Sequence, residues 1–276
     1  MKVSGTRALV ESAILIAIGT MLSVIKIAEL PYGGSVTVAS MLPIVIISYR
    51  HGIGRGLVSG LIFGVIQQLL GLNTLSYVST WQSILAVILL DYIVAFLVLG
   101  FGGVFRRAFK DQAPALVCGS LLVCLLRYAC HVISGATVWA GLSIPTADAL
   151  IYSFAYNATY MIPETVVLLI AAYYLGSTLD FRSDQPVRLA RKEKSPVTLF
   201  GISAGLILAA GVIFDVAAVF SKLQNAETGN WDIAGLHEVN WMLVGIVTAA
   251  AVVVSAVLFF ISKAVNKKTS KAVADE

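Results

Sequence analysis

Apolar positions in this chain do not alternate with polar ones; they come in blocks. Eight runs, at 8–27, 36–49, 52–72, 83–105, 115–134, 150–175, 198–220 and 241–261, are long enough to cross a bilayer or nearly so. Each predicts a membrane helix. The second is short and follows the turn Pro31-Tyr32-Gly33-Gly34, so it is expected to enter the membrane at an angle. The first follows Lys2 and Arg7 as a secretion signal would. It is long for that role and no clear small-residue cleavage site comes after it, so it reads as the first membrane helix. The expected organisation is a six-helix membrane domain over 1–178, a charged cytoplasmic linker over 179–197 with two prolines, a two-helix membrane extension over 198–263, and a cytoplasmic tail over 264–276. No strong internal repeat is visible, which weakens a transporter built from repeats.

Composition agrees with the pattern. Of 276 residues, 58% are hydrophobic and 12% charged, against about 25% charged in a soluble domain; mean hydropathy is +0.90. The net charge of +4 is no sign of nucleic acid, because the basic residues sit in short turns between apolar runs. With the N-terminus inside, the inner turns collect Lys2, Arg7, Arg50, Arg55, Arg106, Arg107, Lys110, Arg182, Arg188, Arg191, Lys192, Lys194, Lys263, Lys267, Lys268 and Lys271. The outer turns hold Lys26 and Lys222. That bias predicts a multi-pass protein of the cell membrane with both termini cytoplasmic. Cys118, Cys124 and Cys130 are odd in number and lie in one apolar run, so they read as buried small hydrophobes.

Charged groups inside the runs carry the chemistry, because each costs at least ~2.5 kcal/mol at mid-membrane. They are Asp91 beside Tyr92, Arg127, Glu164 just after Pro163, and Asp215. Arg127, His131 and Gly135 recur every four residues and share a helix face; Ser153, Asn157, Tyr160 and Glu164 follow one face of the next helix. The two faces are expected to meet, with Arg127 neutralising Asp91 or Glu164. The stretch 131–157, with His131, Gly135, Trp139, Tyr152, Ser153, Tyr156 and Asn157, reads as a helix-loop-helix lining a pocket for a small, flat, hydrogen-bonding, cationic ligand. Plainer readings exist: Arg127 and a carboxylate as an internal ion pair, His131 as a core histidine, and Tyr32, Trp81, Trp139 and Tyr152 as an interfacial aromatic belt. No HExxH, GxSxG or GxxxxGK[ST] occurs, and no second His or Cys stands at ligand spacing from His131. Metal, cofactor and P-loop chemistry are therefore not expected, and binding rather than catalysis is. Ala13 and Ala17 form a small-xxx-small pair that lets another helix approach.

These residues resemble a known family. The succession Ala13-x-x-x-Ala17, Tyr32-Gly33-Gly34-Ser35, Met41-Leu42-Pro43-Ile44, Ser59-Gly60-Leu61-Ile62-Phe63-Gly64, Asp91-Tyr92-x-x-Ala95-Phe96, His131-x-x-x-Gly135-x-x-x-Trp139 and Tyr152-Ser153-x-x-x-Asn157 resembles the thiamine-specific substrate-binding component of energy-coupling-factor vitamin transporters. The resemblance covers residues 1–178 and implies an all-α integral membrane protein: a six-helix bundle with an outward-facing thiamine pocket, here with two additional C-terminal helices. It implies a partner module of one transmembrane coupling protein and two cytoplasmic ATPases. It also implies that Trp139 stacks on the pyrimidine, that Asn157, Tyr152 and His131 supply hydrogen bonds, and that Asp91 is the binding carboxylate. The loop around Tyr32 would be the lid, and Ala13 and Ala17 would face the coupling protein. The chain departs from the family in carrying Asp91 where glutamate is expected, and Tyr32 and Phe63 where tryptophans are expected. Three alternatives stay open on the residues alone: the same architecture for a different vitamin or a thiamine precursor, a cation-coupled secondary transporter relaying protons through Asp91, Glu164 and Arg127, and an intramembrane hydrolase using Asp91 and His131.

Overall fold

A computed structural model describes residues 5–138, 146–189, 196–223 and 233–274. The chain divides into two compact units, Met1–Leu189 and Ala190–Glu276. The first holds α1 (Gly5–Val24), α2 (Leu42–His51), α3 (Ile53–Leu70), α4 (Trp81–Arg107), α5 (Gln112–Thr137) and α6 (Ala147–Thr178). The second holds α7 (Pro196–Leu223) and α8 (Trp241–Ala274). Among the described residues, α1, α3, α4, α5, α6 and the Trp241–Ser262 part of α8 are long and apolar enough to cross a membrane. The protein is a multi-pass membrane protein built mainly from helices.

The second apolar run behaves differently from the rest. Helix α2 has 10 residues, about 15 Å of rise, half of what a hydrocarbon core of about 30 Å demands. The chain makes up the distance with a hairpin that sequence patterning did not separate from its flanking helices. Strand β1 (Lys26–Glu29) pairs antiparallel with β2 (Ser35–Thr37) across the turn Pro31–Gly33. So α1 stops at Val24 rather than at the expected position 27, and Val36 and Thr37 are strand, not helix. Non-helical backbone is tolerated in a membrane protein where it lines a cavity or is buried in protein, and β2 does both.

Helix α2 lies at the centre of the unit. Its residues Leu42–Arg50 are all buried, and Ile44, Val45, Ile47 and Tyr49 are fully so. They pack with Met41, Phe63, Leu99, Leu116 and Leu168 from the surrounding elements. Helix α4 is irregular. Its middle, Ile88–Val94, is a π-helical turn, and its end, Val98–Arg107, tightens to a 3-10 helix. Ser48 of α2 ties down that end, donating from Oγ to the Gly100 carbonyl and accepting from Gly103 N–H at 2.9 Å.

The end opposite the hairpin is closed by arginines. Arg50 pairs with Glu11 of α1 at 2.8 Å and donates to the Phe181 carbonyl at 2.8 Å. Gln112 of α5 bonds the Gly176 carbonyl at 2.7 Å and accepts from Phe181 N–H at 2.9 Å. Residues just past α6, including the short pair β3 (Leu179–Asp180) and β4 (Val187–Arg188), are thereby fixed to α1, α2 and α5. Cys118, Cys124 and Cys130 are free thiols.

Candidate functional site

The hairpin, α3, α4, α5 and α6 enclose a cavity of about 880 Å³, within the usual range for small-molecule sites of roughly 300–1,000 Å³. Its wall includes Tyr32, Asp91, Tyr92, Arg127, His131, Gly135, Tyr152, Asn157 and Glu164, all expected from the sequence. Trp139 lies outside the described residues. Phe63 is placed elsewhere: it is fully buried in the core, its ring edge-on at 5.3 Å to Phe96, and Phe96 is the aromatic that reaches the cavity. Ala13 and Ala17 sit exposed on α1 and take no part in the wall.

Asp91 stands on the π-helical turn of α4, a rare distortion that recurs at functional sites. Its Oδ1 is 2.8 Å from His131 Nδ1, and its Oδ2 accepts from Ser134 Oγ at 2.6 Å. Arg127 Nε–H donates to His131 Nε2 at 3.2 Å. Because Nε2 accepts, the imidazole proton is on Nδ1 and points at the carboxylate. The expected neutralisation of Asp91 by Arg127 thus runs through a histidine. The guanidinium is otherwise held by the Met41 sulfur at 2.9 Å and the Phe96 ring, 4.3 Å from its centroid. Glu164, the other carboxylate expected to meet Arg127, is bound instead by Thr37 of β2.

Helices α5 and α6 meet face to face, as the spacing of their polar residues predicts, and Gly135 is the reason they come so close. A Cβ there would collide with Ser153 Oγ and lie 3.5 Å from Asn157 Nδ2. Ser153 Oγ donates to the Val132 carbonyl at 2.8 Å. Asn157 Nδ2 donates to the Ser153 and His131 carbonyls at 2.8 and 3.3 Å, while its Oδ1 accepts from Tyr160 Oη at 2.6 Å. These bonds satisfy buried polar groups and hold the seam rigid. Thr146 caps the start of α6, accepting from Ala149 N–H at 3.1 Å.

A run of tyrosines forms the aromatic wall. Tyr152 and Tyr156 stack, centroids 6.2 Å apart and planes 7° from parallel. Tyr156 meets Tyr160 and Tyr32 edge-on at 5.8 and 6.2 Å, and Tyr32 meets Tyr77 at 5.2 Å. Tyr92 Oη lies 2.7 Å from Thr74 Oγ1. Sequence reasoning did not single out Tyr77, Thr74, Ser134 or Thr37. Ser134 falls off the four-residue spacing of its helix, and the others join the site through the hairpin and the 3-10 turn Leu72–Tyr77, whose positions no periodicity announces.

The wall carries the carboxylates Glu29, Asp91 and Glu164 against the cations Lys26 and Arg127, a formal excess of one negative charge; Glu29 and Lys26 pair with each other at 2.6 Å. Aromatic faces, amide and hydroxyl groups and a surplus carboxylate suit a planar cation.

Similarity to known proteins agrees. Residues 9–181 match the family described as thiamine transporter protein (Thia_YuaJ), and the match ends before α7 and α8. The chain is 35% identical over 181 residues to the thiamine transporter ThiT of Bacillus subtilis (strain 168), covering 62% of this chain and 90% of that one. A solved structure of ThiT from Listeria monocytogenes has the same fold, with a TM-score of 0.50 at 22% identity over 61% of this chain and 92% of that one. With its first unit matched nearly from end to end, the chain belongs to the thiamine transporter protein family.

Proposed function

We propose that this protein captures thiamine from outside the cell and hands it inward as the substrate-binding subunit of an energy-coupling-factor importer. The observation that carries the reading is Asp91, a carboxylate held towards an aromatic-walled cavity by Nδ1–H of a His131 ring and the Ser134 hydroxyl. Thiamine is an aminopyrimidine joined to a permanently cationic thiazolium. The carboxylate offsets the cation, and the tyrosines offer faces for stacking and cation–π contact worth ~0.5–2 kcal/mol. Trp139 is assigned the same kind of contact.

The chain has no P-loop, so the reading gives ATP hydrolysis to two cytoplasmic ATPases, joined through a transmembrane coupling protein. The reading has both termini in the cytoplasm, which the bias of basic residues towards one set of turns supports. Ala13 and Ala17, exposed on α1, are the surface assigned to the coupling protein, since small side chains let a second helix approach.

Titrating the purified protein with thiamine while following tryptophan fluorescence tests the ligand. Saturable quenching by thiamine and none by riboflavin is the expected result. Quenching only by riboflavin or by a pyrimidine precursor would reassign the ligand. For the partner surface, Ala13→Trp is expected to leave thiamine affinity unchanged and to abolish uptake by the assembled transporter. Uptake by this chain alone in vesicles, driven by a proton gradient, would overturn the importer reading.

A further inference from the structure

Glu164 is 2% exposed, and both of its oxygens are engaged by one residue of the hairpin. Oε2 accepts the Thr37 N–H at 2.5 Å and Oε1 accepts the Thr37 hydroxyl at 2.7 Å. Ser40 Oγ lies 2.8 Å from Thr37 Oγ1 and extends the cluster to the foot of α2. Thr37 ends β2, so its N–H is met by a carboxylate 127 positions away in sequence.

The hairpin touches α6 at a second point. Gly34 N–H donates to Tyr156 Oη at 3.3 Å, about two helical turns from Glu164. The two attachments are unequal. At the tip Gly34 makes a long bond to a neutral hydroxyl, beside the edge-on contact of Tyr32 with Tyr156. At the root there are two short bonds to a carboxylate, which are the stronger kind. Backbone strain brackets the same strand: among the described residues, the non-glycine positions with positive φ are Tyr32 at 66° and Ala39 at 53°. Strain of this kind gathers at ligand clamps and persists only where the surroundings hold it. Asp91, by contrast, has its side chain 13% exposed to the cavity.

We infer that Glu164 is the latch of the lid: through Thr37 it holds the root of the hairpin over the cavity, and it sets how long a captured ligand stays rather than how the ligand's charge is met. It is a positioning residue, and Asp91 is the counter-charge. This rests on the thiamine-capture reading for its ligand, but the latch itself is a statement about the hairpin.

The test uses the full-length protein in lipid nanodiscs, with Glu164→Gln, Thr37→Val and the double variant. Hydrogen exchange without ligand should show residues 26–37 exchanging faster in each variant while α3 is unchanged. Unchanged exchange in the hairpin overturns the latch whatever the ligand proves to be. Stopped-flow fluorescence then follows thiamine and an uncharged analogue with thiophene in place of thiazolium. Dissociation should quicken by roughly 10-fold or more with association little altered, as interface changes act mainly on off-rates. The factor should be the same for both ligands, and the double variant no worse than the stronger single one. Weakening confined to the cationic ligand would make Glu164 a second counter-charge and overturn the proposal, as would additive effects in the double variant. Failure of thiamine to bind the unaltered protein sinks the ligand reading instead, and the exchange measurement then decides the latch alone.

Discussion

The two units are both made of apolar helices, yet they are assembled by different means. In the second, α7 and α8 meet along small residues: Ala204, Ala251 and Ser255 are buried, and Ser255 Oγ donates to the Ala204 carbonyl at 2.8 Å. Asp215 accepts from Thr248 at 2.6 Å in the same seam. Close contact of this kind is what holds helices together in lipid. In the first unit larger polar side chains, bonded to neighbours, line a void between helices that elsewhere pack closely. Every residue lining the cavity belongs to the first unit. Hydropathy makes the units look alike; polar groups that must be bonded in a place water cannot reach tell them apart.

Altering the first unit should therefore change thiamine binding, and altering the second should not. Asp91→Asn should have the largest effect. It removes the counter-charge and disturbs the acceptor for His131 and Ser134, so affinity should fall by ~3 kcal/mol or more, the range for breaking a buried charged pair. A titration showing less than a few-fold change would mean the cation is met elsewhere. Next comes Gly135→Ala, whose methyl has no space against Ser153. Overpacking of this kind costs about 1–3 kcal/mol, so the variant should melt earlier and bind thiamine less tightly. Asn157→Ala should lose ~1 kcal/mol of affinity, because the partners of its amide are left unpaired. At the bottom of the scale, Asp215→Asn with Thr248→Val should leave affinity unchanged and weaken α7–α8 pairing by only ~0.6 kcal/mol, a typical value for a hydrogen bond between membrane helices. A drop in thiamine affinity there would break the contrast.

Much of the site was legible in the residues. Arg127, His131 and Gly135 at four-residue spacing, and Ser153, Asn157, Tyr160 and Glu164 on one side of α6, had to face protein because lipid would not take them. Their meeting follows from that. The hairpin was not legible. The turn at 31–34 stood out as a break between the first two runs, but the hairpin's strands are four and three residues long and overlap the ends of those runs at Ile27 and Val36, so nothing marked them as strands. Without the hairpin, Thr37 could not be placed beside Glu164, nor Tyr77 beside Tyr32. The exchange of Phe63 for Phe96 at the cavity had the same cause: both are aromatic and apolar, and only the packing of α3 against α4 decides which one is covered.

By itself the sequence determined the membrane class and the polar faces of the helices, because each depends on spacing along one helix or on a charge that lipid penalises; the family it gave only as a resemblance of motifs. The tertiary structure alone decided which partners each of the two carboxylates in the cavity wall takes. Asp91 and Glu164 are both acids inside apolar helices, and what separates them is their partners: His131 and Ser134 for one, the backbone and hydroxyl of a distant Thr37 for the other. Those partners are fixed by how helices and strand fold together in three dimensions, which local patterning does not encode.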